Sequence, residues 1–516
     1  MSSNFTAHTA RNDGDWRKIW PLRHASTIFV GAIAAIPLIS FLYVAFARLR
    51  YPLDLEWLEG TSIGMARRFA AGLPLYPPPT INHVSVRYFP LYFIAVGSLF
   101  KGTGVNYWAG RLVSILATVG TGGLAFWTVW RVTRKSSAAL ITAGMWFAAF
   151  GFSGYFYDLN RIDSFAVFLL MASYAAAFLY PGARGGALAG LLLTASAFTK
   201  QNHIAFIAPI AFAQVLRRDW RGALACAVAF MTSFGAGAAA WNWASGGSFW
   251  LLTMQFIPFG AVRSRLMWFP LDYLRYFPAA LVVVIFYSVR LAKRCDALAL
   301  FGDPWLGYWA ACVALAWVFR VSVGCYTNVY MPAALATAVA TGVMLPTVIE
   351  AAPEWLRRQR LWLAPLVAAT LIFPVFIWPK GQIPPPSQWA AARRLRDFVR
   401  AEHGQVFMTD FLLFEPNVLQ FHSINFQDMR KPGGAWKAVW RQQLQAELDR
   451  ARPSLVIPFG ATSRGKEYDR MLEGMVREPL PMNMRPRTVT GFDACPVYFY
   501  RRPPPPPGGN RDPSAN

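Results

Sequence analysis

The stretch ASTIFVGAIAAIPLISFLYVAFA, from Ala25 to Ala47, contains no charged residue, and shortly after it Asp54-Leu55-Glu56-Trp57-Leu58-Glu59-Gly60 carries three carboxylates. At 1.5 Å of rise per residue, the apolar run is long enough as a helix to cross ~30 Å of hydrocarbon. The same signature recurs outward along the chain. Leu112–Trp130, Ser136–Tyr157, Ser164–Gly182, Val321–Ile349 and Leu361–Pro379 are uncharged, and Gly222–Val262 is long enough for a span and an uncharged loop. Shorter apolar stretches at Gly185–Thr199, His203–Leu216, Phe277–Val289 and Pro304–Phe319 fit a packed bundle, while Tyr88–Phe100 reads as a partial or re-entrant element. These patterns predict a mainly α fold: a polytopic membrane bundle of about eleven transmembrane helices.

Composition supports this reading. Of 516 residues, 55% are hydrophobic and 15% charged, against ~25% charged in soluble domains. The formal charge of +24, from 50 basic and 26 acidic residues, is concentrated between the apolar runs. The tendency of basic loops to stay cytoplasmic explains most of it and removes the need for a nucleic-acid partner. Arg11, Arg17, Lys18 and Arg23 precede the first run, which places the N-terminus inside. That run is too long for a signal-peptide core and lacks a cleavage site, so it reads as a retained helix. The cysteines Cys226, Cys295, Cys312, Cys325 and Cys495 show no metal-ligand spacing, and neither GxxxxGK[ST] nor GxGxxG before a helix is present. Nucleotide-driven pumping is disfavoured.

With the N-terminus inside, Arg48 to Arg87 forms a long first outer loop, in which Leu58 to Ala71 has amphipathic spacing ended by Gly72 and Pro74. Asp158 to Asp163 forms a second outer loop, and Ser245 to Arg275 a third that carries Arg263, Arg265 and Arg275. The expected division is a cytoplasmic segment 1–24, a transmembrane domain 25–379, an extracytoplasmic α/β domain 380–502 and a Pro-rich disordered tail 503–516. In the α/β domain, Gln388–Glu402 and Trp436–Ala451 read as helices, and Gln405–Thr409 and Ser454–Phe459 as buried strands.

Carboxylates beside hydrocarbon are costly unless they face water, a cation or a reaction cavity. Asp54, Glu56 and Glu59 are therefore functional candidates, although acidic residues also suit the positive end of the following helix. Asp158 and Asp163 bracket Arg161, and an ion pair that merely ties this loop is the competing explanation. Arg87, Arg161, Lys200, Arg263 and Arg265 fall on the outer side, where snorkelling to lipid headgroups competes with anion binding. His83 and His203 read as hydrogen-bonding residues.

The order of these pieces resembles the membrane-embedded GT-C glycosyltransferases, the superfamily of protein O-mannosyltransferases and the lipid A aminoarabinose transferase. The resemblance rests on the acidic first loop with its surface helix, Asp54 to Tyr76; on Tyr88-Phe89-Pro90-Leu91-Tyr92 leading into Gly110-Arg111-Leu112; and on Arg161-Ile162-Asp163. Phe198-Thr199-Lys200-Gln201 and Asn328-Val329-Tyr330-Met331-Pro332 complete it. It implies inverting transfer of a sugar from a polyprenyl-phosphate donor to a glycan, lipid or protein acceptor. On that implication Asp54 is the first choice for general base and Glu56 the second, since this sequence has Asp-x-Glu rather than the family's adjacent pair. Asp163 or Asp158 would assist across the cavity, Glu59 would line it, and Arg87, Arg161, Lys200, Arg263 and Arg265 would hold the phosphate. The family includes metal-dependent members, so a divalent cation stays open. The alternatives are a secondary transporter or flippase for a lipid-linked or anionic solute, and a silent scaffold. Carboxylates gathered at span ends on one face favour surface chemistry over alternating access.

Overall fold

The computed structural model describes residues 16–78, 85–255, 260–294, 300, 302–355, 359–409, 415, 417–421, 435–458, 472–491 and 495–503. His83, Cys295 and the tail beyond 503 lie outside them. The helical part contains α1 (Trp16–Arg48), α2 (Glu59–Ala70), α3 (Leu91–Thr103), α4 (Tyr107–Thr133), α5 (Ser136–Ala148), α6 (Ile162–Leu179) and α7 (Ala183–Ala197). It continues with α8 (Ile207–Leu216), α9 (Trp220–Ala244), α10 (Trp268–Tyr276), α11 (Pro278–Arg294), α12 (Pro304–Val321), α13 (Met331–Glu350) and α14 (Arg360–Ile372).

Among the described residues, six helices are long and apolar enough to cross a membrane, seven if the sharply bent pair Arg263–Tyr276 and Pro278–Lys293 counts as one span. Leu91–Thr103, Ser136–Ala148 and Trp362–Ile372 are apolar but shorter. Tyr88–Phe100, read from sequence as a partial element, is one of these short helices. Leu224, Val228, Met231 and Trp243 on α9 are exposed, as suits a helix whose outer face meets lipid rather than water.

Local sequence explains where the helices begin. The Asn106 side chain accepts from the Ala109 amide at 2.8 Å to cap α4, and Asp303 accepts from the amides of Trp305 and Leu306 ahead of α12. Asp219 caps α9 through Gly222 and also accepts from the Gly182 amide at the start of α7. Small residues then let these two helices touch. A Cβ on Gly186 would lie 2.0 Å from the Gly222 carbonyl oxygen, and one on Gly190 would lie 2.4 Å from that of Cys226. This is the close approach that small residues four apart permit in membrane bundles.

The rest of the chain is α/β. It comprises α15 (Pro386–Arg400), β1 (Val406–Thr409), β2 (Val418–Phe421), α16 (Ala435–Ala451), β3 (Leu455–Ile457), β4 (Val476–Pro479) and β5 (Tyr498–Arg501). The sheet order is β2-β1-β3-β5-β4. β1 runs parallel to β2 and to β3, with Val406 opposite Leu455, while β5 is antiparallel to β3 and β4. The two helices and two strands expected from sequence are thus present as α15, α16, β1 and β3 within a residue or two. Leu395 and Val399 of α15 share one buried cluster with Val406, Leu455 and Ile457 of the sheet. Tyr51, Leu53, Leu55, Phe156 and Leu159 of the two acidic loops belong to the same cluster. One core therefore joins the α/β part to the acidic end of the bundle.

Candidate active site at the acidic end of the bundle

The first loop is shaped by Arg111, a buried guanidinium near the start of α4. Its Nη1 donates to the carbonyls of Arg48, Leu49 and Tyr51 at 3.2, 3.3 and 2.7 Å, and Nη2 donates to Leu53 at 2.7 Å. It also grips Glu59 with Nε to Oε1 at 3.0 Å and Nη2 to Oε2 at 2.7 Å. Glu59 further accepts from the amides of Leu55 at 2.6 Å and Asn160 at 2.7 Å. This carboxylate is structural: its bonding capacity is filled, and it stands in the first turn of α2 where the helix dipole favours it. Burial alone would raise its pKa, but the Arg111 charge and these hydrogen bonds hold it below the usual range.

Glu56 accepts from Arg161 Nη1 at 2.8 Å and from the Leu58 amide at 3.1 Å. Burial outweighs Arg161, and its pKa is raised. Asp54 differs from both. It is 1% exposed, and neither carboxylate oxygen accepts a well-formed hydrogen bond. The Tyr107 hydroxyl stands near enough to favour its charged form, short of good bonding geometry. Burial, followed by the neighbouring Glu59 charge, pushes the Asp54 pKa well above the ordinary carboxylate range, with Arg111 pulling the other way.

In the second loop both carboxylates are paired. Arg48 Nε donates to Asp158 Oδ2 at 2.6 Å, and its Nη2 pairs with Oδ1. Asp163 receives Lys200 Nζ at 2.6 Å, Asn328 Nδ2 at 2.8 Å and Arg161 Nε at 3.1 Å. The Arg161–Asp163 pair considered from sequence is present, but Arg161 also bridges to Glu56 and Tyr88, so it joins the two loops rather than only tying its own. Tyr92 donates to Asn160 Oδ1 at 2.8 Å. A Cβ on Gly110 would lie 2.0 Å from that oxygen, which explains the glycine preceding Arg111.

Two cations meet at Cys325, between α12 and α13. Arg265 and Arg320 each donate to its carbonyl, at 3.2 and 2.7 Å, and both guanidiniums lie over the Trp268 ring. Arg263 is exposed on the same turn as Arg265. His203 is buried, its Nδ1 2.7 Å from Ser196 Oγ. Among the described residues no three His, Cys, Asp or Glu side chains converge as metal ligands. Glu59, Asp158 and Asp163 are occupied by cationic side chains.

Sequence reasoning missed Arg48, Arg111 and Arg320 as site cations. The signal was present for Arg111, an ionisable residue just inside an apolar helix.

No protein-family model matches the chain, and no curated protein matches it in sequence. Its structure is similar to that of ArnT from Cupriavidus metallidurans in the apo state, with TM-score 0.59 and 14% identity, covering 92% of this chain and 98% of the other. ArnT solved bound to undecaprenyl phosphate gives TM-score 0.57 and 13% identity over the same shares. The archaeal oligosaccharyltransferase AglB from Archaeoglobus fulgidus is a more distant likeness, with TM-score 0.44 and 12% identity, covering 86% of this chain and 70% of that one. Over nearly its whole length, this chain shares the fold of that ArnT structure.

Proposed function

We propose that the chain is a membrane glycosyltransferase that moves one sugar from a polyprenyl-phosphate carrier to an acceptor hydroxyl on the outer face of a bacterial inner membrane. The observation that carries this reading is Asp54: a buried carboxylate with no filled hydrogen-bonding capacity, beside Glu56 and Glu59 whose charges are matched by arginines. Such a group is poised to accept a proton. Asp54 takes the acceptor proton as the hydroxyl oxygen bonds to the anomeric carbon. The carbon–oxygen bond to phosphate breaks on the opposite side, with inversion, and polyprenyl phosphate leaves with the electron pair. Because Asp54 is covered, an acceptor reaches it only by displacing side chains around it.

Arg265 and Arg320, which meet at the Cys325 carbonyl, supply the counter-charge that a departing phosphate needs. In this reading Arg87, Lys200 and Arg265 face the phosphate, Arg320 joins them, and Arg161 holds Glu56 and Asp163 in place. The fold shared with ArnT, a protein solved with undecaprenyl phosphate, supports the carrier class. The bundle of about eleven spans takes 25–379 with an inside N-terminus on 1–24, and an extracytoplasmic domain takes 380–502, leaving 503–516 as a tail. The acceptor is a lipid-linked saccharide, another envelope glycan or a protein.

Transfer from a radiolabelled polyprenyl-phosphate sugar pool, in membranes carrying wild type or Asp54→Asn at matched levels, tests the reading. Labelling in the wild type that collapses in the variant supports it. Equal labelling with both, and with membranes lacking the protein, overturns it for those donors and moves a transporter or scaffold ahead.

A further inference from the structure

Leu55, the residue between Asp54 and Glu56, is held by a segment more than four hundred positions away. The amides of Val489 and Thr490 both donate to its carbonyl at 3.0 Å, while its own amide donates to Glu59. Both peptide planes flanking this residue are therefore fixed, one by the bundle and one by the α/β part. The Thr490 hydroxyl donates to Gln382 Oε1 at 2.8 Å and accepts from Arg48 Nη1 at 3.1 Å. Arg48 is the partner of Asp158, so the same threonine reaches both acidic loops. Gly491 has φ of +73°, and a Cβ there would lie 3.2 Å from Glu56 Cγ. Thr488 and Thr490 are buried, and the surrounding cluster is continuous with the sheet.

We infer that the strap Thr488–Gly491 is a positioning element of the transfer site, which makes the α/β part a component of the catalytic centre rather than an appended module. The inference rests on the glycosyltransferase reading for its kinetic consequence only. The strap touches no reacting atom. It fixes the backbone from which Asp54 and Glu56 project, and Thr490 couples that backbone to the Arg48–Asp158 pair. A base displaced by about 1 Å loses roughly a hundredfold in rate.

Thr490→Val keeps the side-chain shape and removes the hydroxyl that bridges Arg48 and Gln382. The expected result is a kcat lower by roughly 10- to 100-fold with KM for the donor unchanged, and recovery in Thr490→Ser. Hydrogen–deuterium exchange on the same purified proteins is expected to show faster exchange in peptides covering 51–62 and unchanged exchange in α9. That readout needs no activity, so it stands if the donor reading fails. Unchanged protection of 51–62 in Thr490→Val overturns the inference. So does wild-type kcat in this variant while Asp54→Asn is inactive, a result that leaves the glycosyltransferase reading intact. Unfolding of Thr490→Val is met by Gly491→Ala, which keeps the hydroxyl and presses on Glu56. Full activity and unchanged protection of 51–62 there also overturn it.

Discussion

The two acidic loops at one end of the bundle have similar composition and opposite electrostatics. In the second loop both carboxylates are saturated: Asp158 by Arg48, and Asp163 by Lys200, Asn328 and Arg161. In the first, Glu59 and Glu56 are paired with arginines, and Asp54 has no cationic partner and no well-formed hydrogen bond. Burying a carboxylate without partners is expensive, and removing one partner of a buried pair leaves the same penalty behind. The second loop thus spends its charge on holding helices together, whereas the first keeps one charge in reserve. Pairing, not the number of acidic residues, separates scaffold from chemistry.

Asp54→Asn tests the reserve directly. General-base catalysis is worth roughly 10²- to 10⁴-fold, about 3 to 5 kcal/mol of barrier, and transfer is expected to fall by that factor in the radiolabel assay. Asp163→Asn, which leaves Lys200 and Arg161 with a neutral partner, should instead lower the thermal midpoint of the detergent-solubilised protein. Equal activity loss in both variants at unchanged stability would erase the distinction between the loops.

Arg111→Met removes the guanidinium that gathers four loop carbonyls and Glu59. It should cost about 3 to 5 kcal/mol, as loss of one partner of a buried pair does, read as a lower unfolding midpoint. Gly110→Ala drives a methyl into the Asn160 side chain and should cost about 1 to 3 kcal/mol as an overpacked site. If it leaves the unfolding midpoint unchanged, the two loops are less tightly joined than the Tyr92–Asn160 contact requires.

The smallest effect concerns pH. A carboxyl whose pKa is higher in the folded than in the unfolded protein favours the fold only while protonated, so the wild type loses stability as pH rises through the shifted Asp54 value. Burial is the main cause of that shift, and Glu59, Arg111, Glu56 and Tyr107 face the group and act on it further. Asparagine does not titrate. The midpoint of Asp54→Asn should therefore exceed that of wild type by a margin that grows across this pH window, while the acid limb of wild-type transfer lies above the ordinary carboxylate range. A constant margin from acid to alkaline pH would show that Asp54 carries no raised pKa.

The helices and the acidic loops were legible in sequence because hydrocarbon imposes a length and a charge rule on every span. The short strands Val406–Thr409 and Leu455–Ile457 were legible as apolar runs, whereas β4, with Arg477 and Glu478 in it, offered no such run. Candidate residues were legible by charge; apart from the local Arg161–Asp163 pair, their partners were not. Nothing local ties Arg48 to Asp158, and Arg263 and Arg265, two residues apart, have different surroundings. Choosing Asp54 over Glu56 rested on resemblance to a family; its isolation from donors depends on where α4 and α6 bring their arginines.

Arg48 and Asp158 are separated by 110 positions, and Arg48 and Thr490 by 442. During synthesis the first helix enters the membrane with its arginine long before its counter-ion exists, and Asp163 waits likewise for Asn328. Both members of each ion pair described here lie within the first 200 positions, whereas Gln382 and Thr490, neutral partners of Arg48, come last. A chain cut before Gln382 therefore keeps its ion pairs and loses the contacts that complete the surroundings of Arg48.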